Sequence, residues 1–139
     1  MLKAIKESSK KVSYGEQIER AKKMVKKNDI VELMEEDWPE MTIEFKRLQQ
    51  VQYELFLRKQ HDYGPGNISV GTQLQTPEEV KLSLTGLWFR MNDKIQRLKT
   101  LLMGGKEAAV NGEPMEDAFL DVSNYGIMAT IVKNGKWGK

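Results

Sequence analysis

The 139 residues fall within the length of one domain and leave room for a core. Apolar residues make up 40% and charged residues 30%, and the absence of cysteine together with a lone His61 excludes disulfides, thiolate or histidine-rich metal sites within one chain, and a cysteine nucleophile. Net charge is +2, no apolar run approaches the roughly 20 residues that span a bilayer, and no signal-peptide pattern opens the chain, so a cytoplasmic protein without a membrane partner is expected.

The first 40 residues read as a helical extension, basic and then acidic. Residues 1–28 hold nine Lys/Arg against three Asp/Glu, whereas residues 29–40 hold six acids and no base. Such blocks are solvated faces or a self-complementary pair of helices. A nucleic-acid arm is the lesser expectation, because no aromatic residues interleave with the lysines. Ile18, Ala21 and Val25 form one stripe, which predicts a basic helix over about 15–27. Asp29 with Glu32 resembles a capping box and predicts a short acidic helix that Trp38-Pro39 ends.

From residue 41 to the end the pattern is that of a second region. A long helix is expected from after Thr42 to about Asp62. At ~100° per residue, Phe45, Leu48, Gln52, Leu55, Phe56 and Lys59 share a face, with Asp62 and Tyr63 at its edges. A lysine in an apolar stripe either snorkels or needs an anion. A loop of residues 63–76 follows, long enough to be functional. It closes at Thr76-Pro77-Glu78-Glu79, a capping box with proline at the first helical position.

The second long helix is predicted from Pro77 to about Met103, stopped by Gly104-Gly105. Val80, Leu84, Leu87, Met91, Ile95, Leu98 and Leu102 form its core seam. Beside the seam, Arg90, Asp93, Lys94 and Arg97 recur at i, i+3, i+4 and i+7, a polar stripe along the flank of the core. The third long helix is predicted from Pro114 to about Lys133, with Met115, Ala118, Phe119, Val122, Gly126 and Ala129 buried. It carries an answering acidic stripe of Glu113, Asp117, Asp121 and Asn124, continued by Tyr125. These elements predict an all-α fold, a helical bundle of about three long helices with short N-terminal helices.

The two stripes have two uses. They can neutralise each other as an ion-pair network of a purely structural protein. Alternatively the acids hold Mg²⁺, which takes oxygen ligands, while Lys59, Arg90, Lys94 and Arg97 receive phosphates. Neither a P-loop nor a G-x-G-x-x-G fingerprint is present, so phosphates would be handled by side chains and metal.

The segments KQHDYGPGNI, GLWFRMNDKIQRLKTL and EPMEDAFLDVSNYGIMA, in this linked order, resemble the nucleotide modification associated domain family common in bacteriophages, over about residues 43–134. That family is related to the all-α nucleoside triphosphate pyrophosphohydrolases of MazG type. The resemblance implies a MazG-like, oligomeric helical bundle, a dimer or tetramer, that binds a (deoxy)nucleoside triphosphate with Mg²⁺ and releases monophosphate and pyrophosphate. Carried over by position, it implies metal ligation by Asp93, Asp117 and Asp121, with Glu113 as a substitute ligand. Lys59, Arg90, Lys94 and Arg97 become phosphate contacts, and Asp62, Tyr63, Asn124 and Tyr125 line the nucleotide pocket. Asp93, Lys94 and Asp121 are the implied catalytic group. The chain departs from MazG-type enzymes in lacking a Glu-Glu-x-x-Glu run on its long helices; ELMEED at 32–37 carries the glutamates elsewhere. The alternative is a non-catalytic nucleotide-binding accessory protein of a DNA-modification pathway.

Overall fold

The computed structural model describes residues 12–22 and 27–139. The fold is all-α, with no strand among the described residues. In chain order the helices are α1 (Tyr14–Lys22), α2 (Lys27–Asp37), α3 (Pro39–Tyr63), α4 (Gly66–Ser69), α5 (Pro77–Leu98), continued by a π-helical segment (Lys99–Met103), and α6 (Met115–Lys133). The chain divides into two compact units, and the boundary between Gln50 and Val51 falls inside α3.

In the first unit, Ser13 starts α1 with a reciprocal cap. Its hydroxyl accepts from the Glu16 amide at 3.2 Å, and its own N–H donates to Glu16 Oε2 at 2.9 Å. The C-terminal part of the expected basic helix, including Val25 of its stripe, lies outside the described residues, as does most of the basic arm. The acidic helix is present as α2, and Asp37 at its end accepts from Arg20 at 2.6 Å. Trp38-Pro39 ends α2, but α3 begins at Pro39 itself rather than after Thr42. Proline suits the first helical turn, where its missing N–H has no partner to lose. Thr42 steadies this start by donating its hydroxyl to the Trp38 carbonyl at 3.0 Å.

In the second unit, α5 and α6 form the main packing pair and α4 lies on α5. The buried apolar centre is Ile68, Leu87, Met128, Val132 and Trp137, with Phe56, Val80, Leu84 and Tyr125 packed against it. Helix α3 stops at Tyr63 because Gly64 turns left-handed (φ 71°) and Pro65 follows. The expected loop is not bare: it holds the one-turn helix α4. Ser83, fully buried on α5, fixes that turn by donating to the Ile68 carbonyl at 2.6 Å. The Thr76 capping box forms as expected, with Thr76 Oγ1 accepting from the Glu79 amide at 3.2 Å.

Two expectations are corrected. The second long helix reaches Met103, but its last five residues widen into a π-helix. There Gly104 meets the Thr100 carbonyl so closely that a Cβ would collide with it. The face of α6 that turns inward is Ala118, Asp121, Asn124, Met128 and Val132, while Phe119 is 50% exposed. The buried polar groups of this face, Asp121 and Asn124, are tolerated because each finds a partner. Asn124 Nδ2 donates to the Gln52 carbonyl at 3.1 Å, and Ser123 donates to Gln52 Oε1 at 2.9 Å.

Candidate functional site

Lys59 stands in the inward stripe of α3, as its spacing predicts, and its ammonium group donates to Asp121 Oδ1 at 3.0 Å. The second carboxylate oxygen, Oδ2, takes Lys94 of α5, also at 3.0 Å. Three helices therefore meet through one carboxylate whose side chain is 9% exposed. Burial alone would raise the Asp121 pKa, but the hydrogen bonds from Lys59 and Lys94 together outweigh it and hold the group below its ordinary value. Lys94 shifts the other way: its bond to Asp121 raises its pKa against the opposing effect of burial. Asp121 is thus a carboxylate, and Lys94 an ammonium, throughout the neutral range.

A cleft of about 40 Å³ opens beside this junction. Lys59, Tyr63, Arg90, Asp121, Asn124 and Tyr125, all expected site residues, line it together with Phe56, Gln60, Asn67, Ile68 and Met128. Arg90 is held by Asn67 of α4, whose side-chain oxygen accepts from Nη2 at 2.9 Å. Asn67 and Gln60 were not legible as site residues in the sequence. One sits in the one-turn helix α4 and the other near the end of α3, so neither breaks a periodicity. With Lys94 paired to the same carboxylate, Lys59, Lys94 and Arg90 outnumber Asp121 and the Glu113 that acts on Lys94, an excess of positive charge that favours an anionic ligand.

The remaining expected residues do not line this cleft, although Glu113 still acts electrostatically on Lys94. Arg97 donates to the Glu113 and Pro114 carbonyls and so ties down the segment before α6. Asp62 is exposed and bonded to His61 Nδ1 at 3.0 Å. Asp93, Glu113 and Asp117 are exposed. Asp93 precedes Lys94 by about 100° of helix rotation, so turning Lys94 toward Asp121 turns Asp93 outward. Among the described residues there is no group of three or more histidine or acidic side chains that could hold a metal ion. Among the described residues the expected ligand set Asp93, Asp117, Asp121 and Glu113 is not brought together, and the buried carboxylate of that set already accepts from two ammonium groups. This arrangement of the described residues does not fit a divalent cation.

Fold and cleft together define an all-α domain with a cationic cleft braced by a single aspartate. Residues 59–132 match the family described as nucleotide modification associated domain 1, and the chain belongs to that family. The match begins at Lys59 and takes in every charged residue of the junction. No curated protein and no solved structure matches the chain. No helix among the described residues is long and apolar enough to cross a membrane.

Proposed function

We propose that the cleft binds the phosphates of a (deoxy)nucleoside triphosphate, and that the domain serves nucleotide modification by holding that ligand. The observation that carries this is the convergence of Lys59 and Lys94 on Asp121 with Arg90 beside them. One carboxylate positions two ammonium groups in advance, so less side-chain freedom is lost when an anion arrives. Arg90, anchored through Asn67, adds a planar donor suited to phosphate oxygens.

Pyrophosphohydrolysis of MazG type is the second reading, and the linked motif order favours it. All three motifs contribute to the junction, through Lys59, through Arg90 and Lys94, and through Asp121 with Tyr125. Since the acids do not gather around a cation, Mg²⁺ dependence belongs to this second reading and is decided by assay. Both readings carry with them a cytoplasmic setting, that of the host if the chain is phage-encoded.

The test is calorimetric binding of each nucleoside triphosphate and of inorganic tripolyphosphate, with and without Mg²⁺, followed by chromatography of the products. We expect both ligand classes to bind, and Arg90→Gln to weaken them about tenfold, roughly 1.4 kcal/mol. Indifference of Arg90→Gln and Lys59→Gln to every phosphate ligand would remove the assignment. Monophosphate with pyrophosphate among the products selects the hydrolase, whereas binding without turnover selects the accessory protein.

A further inference from the structure

Gln60 follows Lys59 on α3 and lines the same cleft as Arg90, Asn67 and Tyr125. Its amide oxygen, Oε1, is buried without a hydrogen-bond partner among the described residues. Native structures leave few such atoms, because a buried acceptor keeps its desolvation penalty when no donor meets it. Lys59 and Arg90 line the same cleft but donate elsewhere, to Asp121 and Asn67.

The kind of ligand atom that would meet Oε1 follows from its chemistry. A triphosphate offers acceptors almost exclusively at neutral pH, so a phosphate oxygen at Gln60 would set acceptor against acceptor. The nucleoside half of a nucleotide carries the missing donors, as N–H groups on the base edge and hydroxyls on the sugar. The terminal torsion of a glutamine side chain is soft, so the amide can swing its oxygen toward a donor that enters the cleft. The cleft is open on one side and can receive the edge of a base or a sugar hydroxyl beside Gln60. Tyr63, 68% exposed at the rim, offers an aromatic face there.

We infer that Gln60 reads the nucleoside half of the ligand, its Oε1 accepting from a base N–H or a sugar hydroxyl while the neighbouring cations hold the phosphates. The inference rests on the phosphate-binding reading above and makes Gln60 a specificity-determining residue beside that seat. The substitution Gln60→Met keeps the length and removes the acceptor.

The decisive measurement compares inorganic tripolyphosphate, an abasic deoxyribose 5′-triphosphate and the four deoxynucleoside triphosphates by calorimetry, on the wild-type chain and on Gln60→Met. The wild type binds at least one deoxynucleoside triphosphate more tightly than tripolyphosphate. In Gln60→Met that advantage falls about tenfold, the worth of one hydrogen bond, while tripolyphosphate binding is unchanged. If the abasic triphosphate shares the advantage, the donor is the sugar hydroxyl; if it does not, the donor is on the base. An advantage that survives Gln60→Met intact overturns the inference and leaves the phosphate seat standing. Failure of the wild type to bind tripolyphosphate or any nucleotide overturns the phosphate reading and this inference with it. Melting of the unliganded proteins supplies a separate check: Gln60→Met should melt higher than wild type, and a lower melting temperature would show that Oε1 is already partnered.

Discussion

Each oxygen of the Asp121 carboxylate accepts from a lysine on a different helix, so the junction fails either by protonation or by substitution. The folded-state pKa of Asp121 lies below its ordinary value. Its contribution to stability is therefore complete above the unfolded carboxylate range, near about 3.9, and is lost as pH falls through the lower folded value. Lys94, with a raised pKa, contributes fully below the unfolded lysine value of about 10.4 and loses its share as pH rises through the higher folded value. Asp121→Asn should cost about 1–3 kcal/mol at neutral pH, less than a fully buried pair because both lysines are partly solvated. Urea unfolding at neutral pH and at about pH 3 checks this: the deficit should shrink in acid, because the carboxylate of the unfolded wild-type chain takes up its proton before the folded one does. An equal deficit at both values would mean that the amide disturbs packing rather than the ion pair. Half of this junction was legible in the sequence. Lys59 violates the apolar period of its helix and so announces a need for an anion. Asp121 violates nothing, since an acid spaced four residues from Asp117 reads equally well as a solvent-facing stripe or a metal ligand.

Boundaries between elements were legible wherever a local rule fixes them. Thr76, Pro77 and Glu79 can do little together except start a helix, and they start α5. Thr76→Ala should cost about 1 kcal/mol, the usual worth of a lost N-cap, measured as a fall in the urea midpoint at unchanged slope. Thr76→Ser, which keeps the accepting oxygen, should recover most of it; no difference between the two variants would show that the cap contributes nothing. Pro39 shows the limit of such rules, because proline stops one helix and opens the next with the same chemistry, and the sequence does not say which is meant. The inward face of α6 was misread in part, at Phe119 though not at Ala118 or Ala129, for a different reason. Apolar residues surround that helix, with Phe119 and Ile127 on the outside and Met128 and Val132 within, so periodicity offers more than one face. The choice is made by partners far along the chain, above all Lys59 and the Gln52 carbonyl, whose pairing with Asp121 and Asn124 makes those two side chains less costly to bury. The π-helical end of α5 brings Gly104 close against the Thr100 carbonyl, a contact that has no signature in a helical wheel.

Across the whole molecule, apolar side chains are distributed unevenly between inside and outside. A domain of about 150 residues buries roughly two-thirds of its unfolded surface. Yet among the described residues the fully buried apolar side chains, Ile68, Leu87, Ala118, Met128, Val132 and Trp137, all belong to the second unit. That unit leaves Phe89 62% and Trp88 56% exposed. In the first unit Ile43 is 67% and Phe45 65% exposed, and Phe45 lines an open apolar groove with Ile30, Val31 and Met34. Isolated exposed apolar residues are ordinary, but large ones recurring on successive helices leave much of the hydrophobic stabilisation unrealised in a single chain. A second copy supplies complementary apolar surface at no cost in new sequence, and an isologous contact uses one patch twice. We therefore expect a homo-oligomer, a dimer or tetramer, whose unfolding midpoint rises with protein concentration because association draws on the folded chain alone. Sedimentation should give a multiple of the 16.0 kDa chain mass. Phe45→Glu and Phe89→Glu, made separately, test which unit carries the contact, since the effective charge enters one apolar surface at a time. A mass of one chain, with a midpoint that does not move over a hundredfold range of concentration, would show that the small core of the second unit suffices by itself.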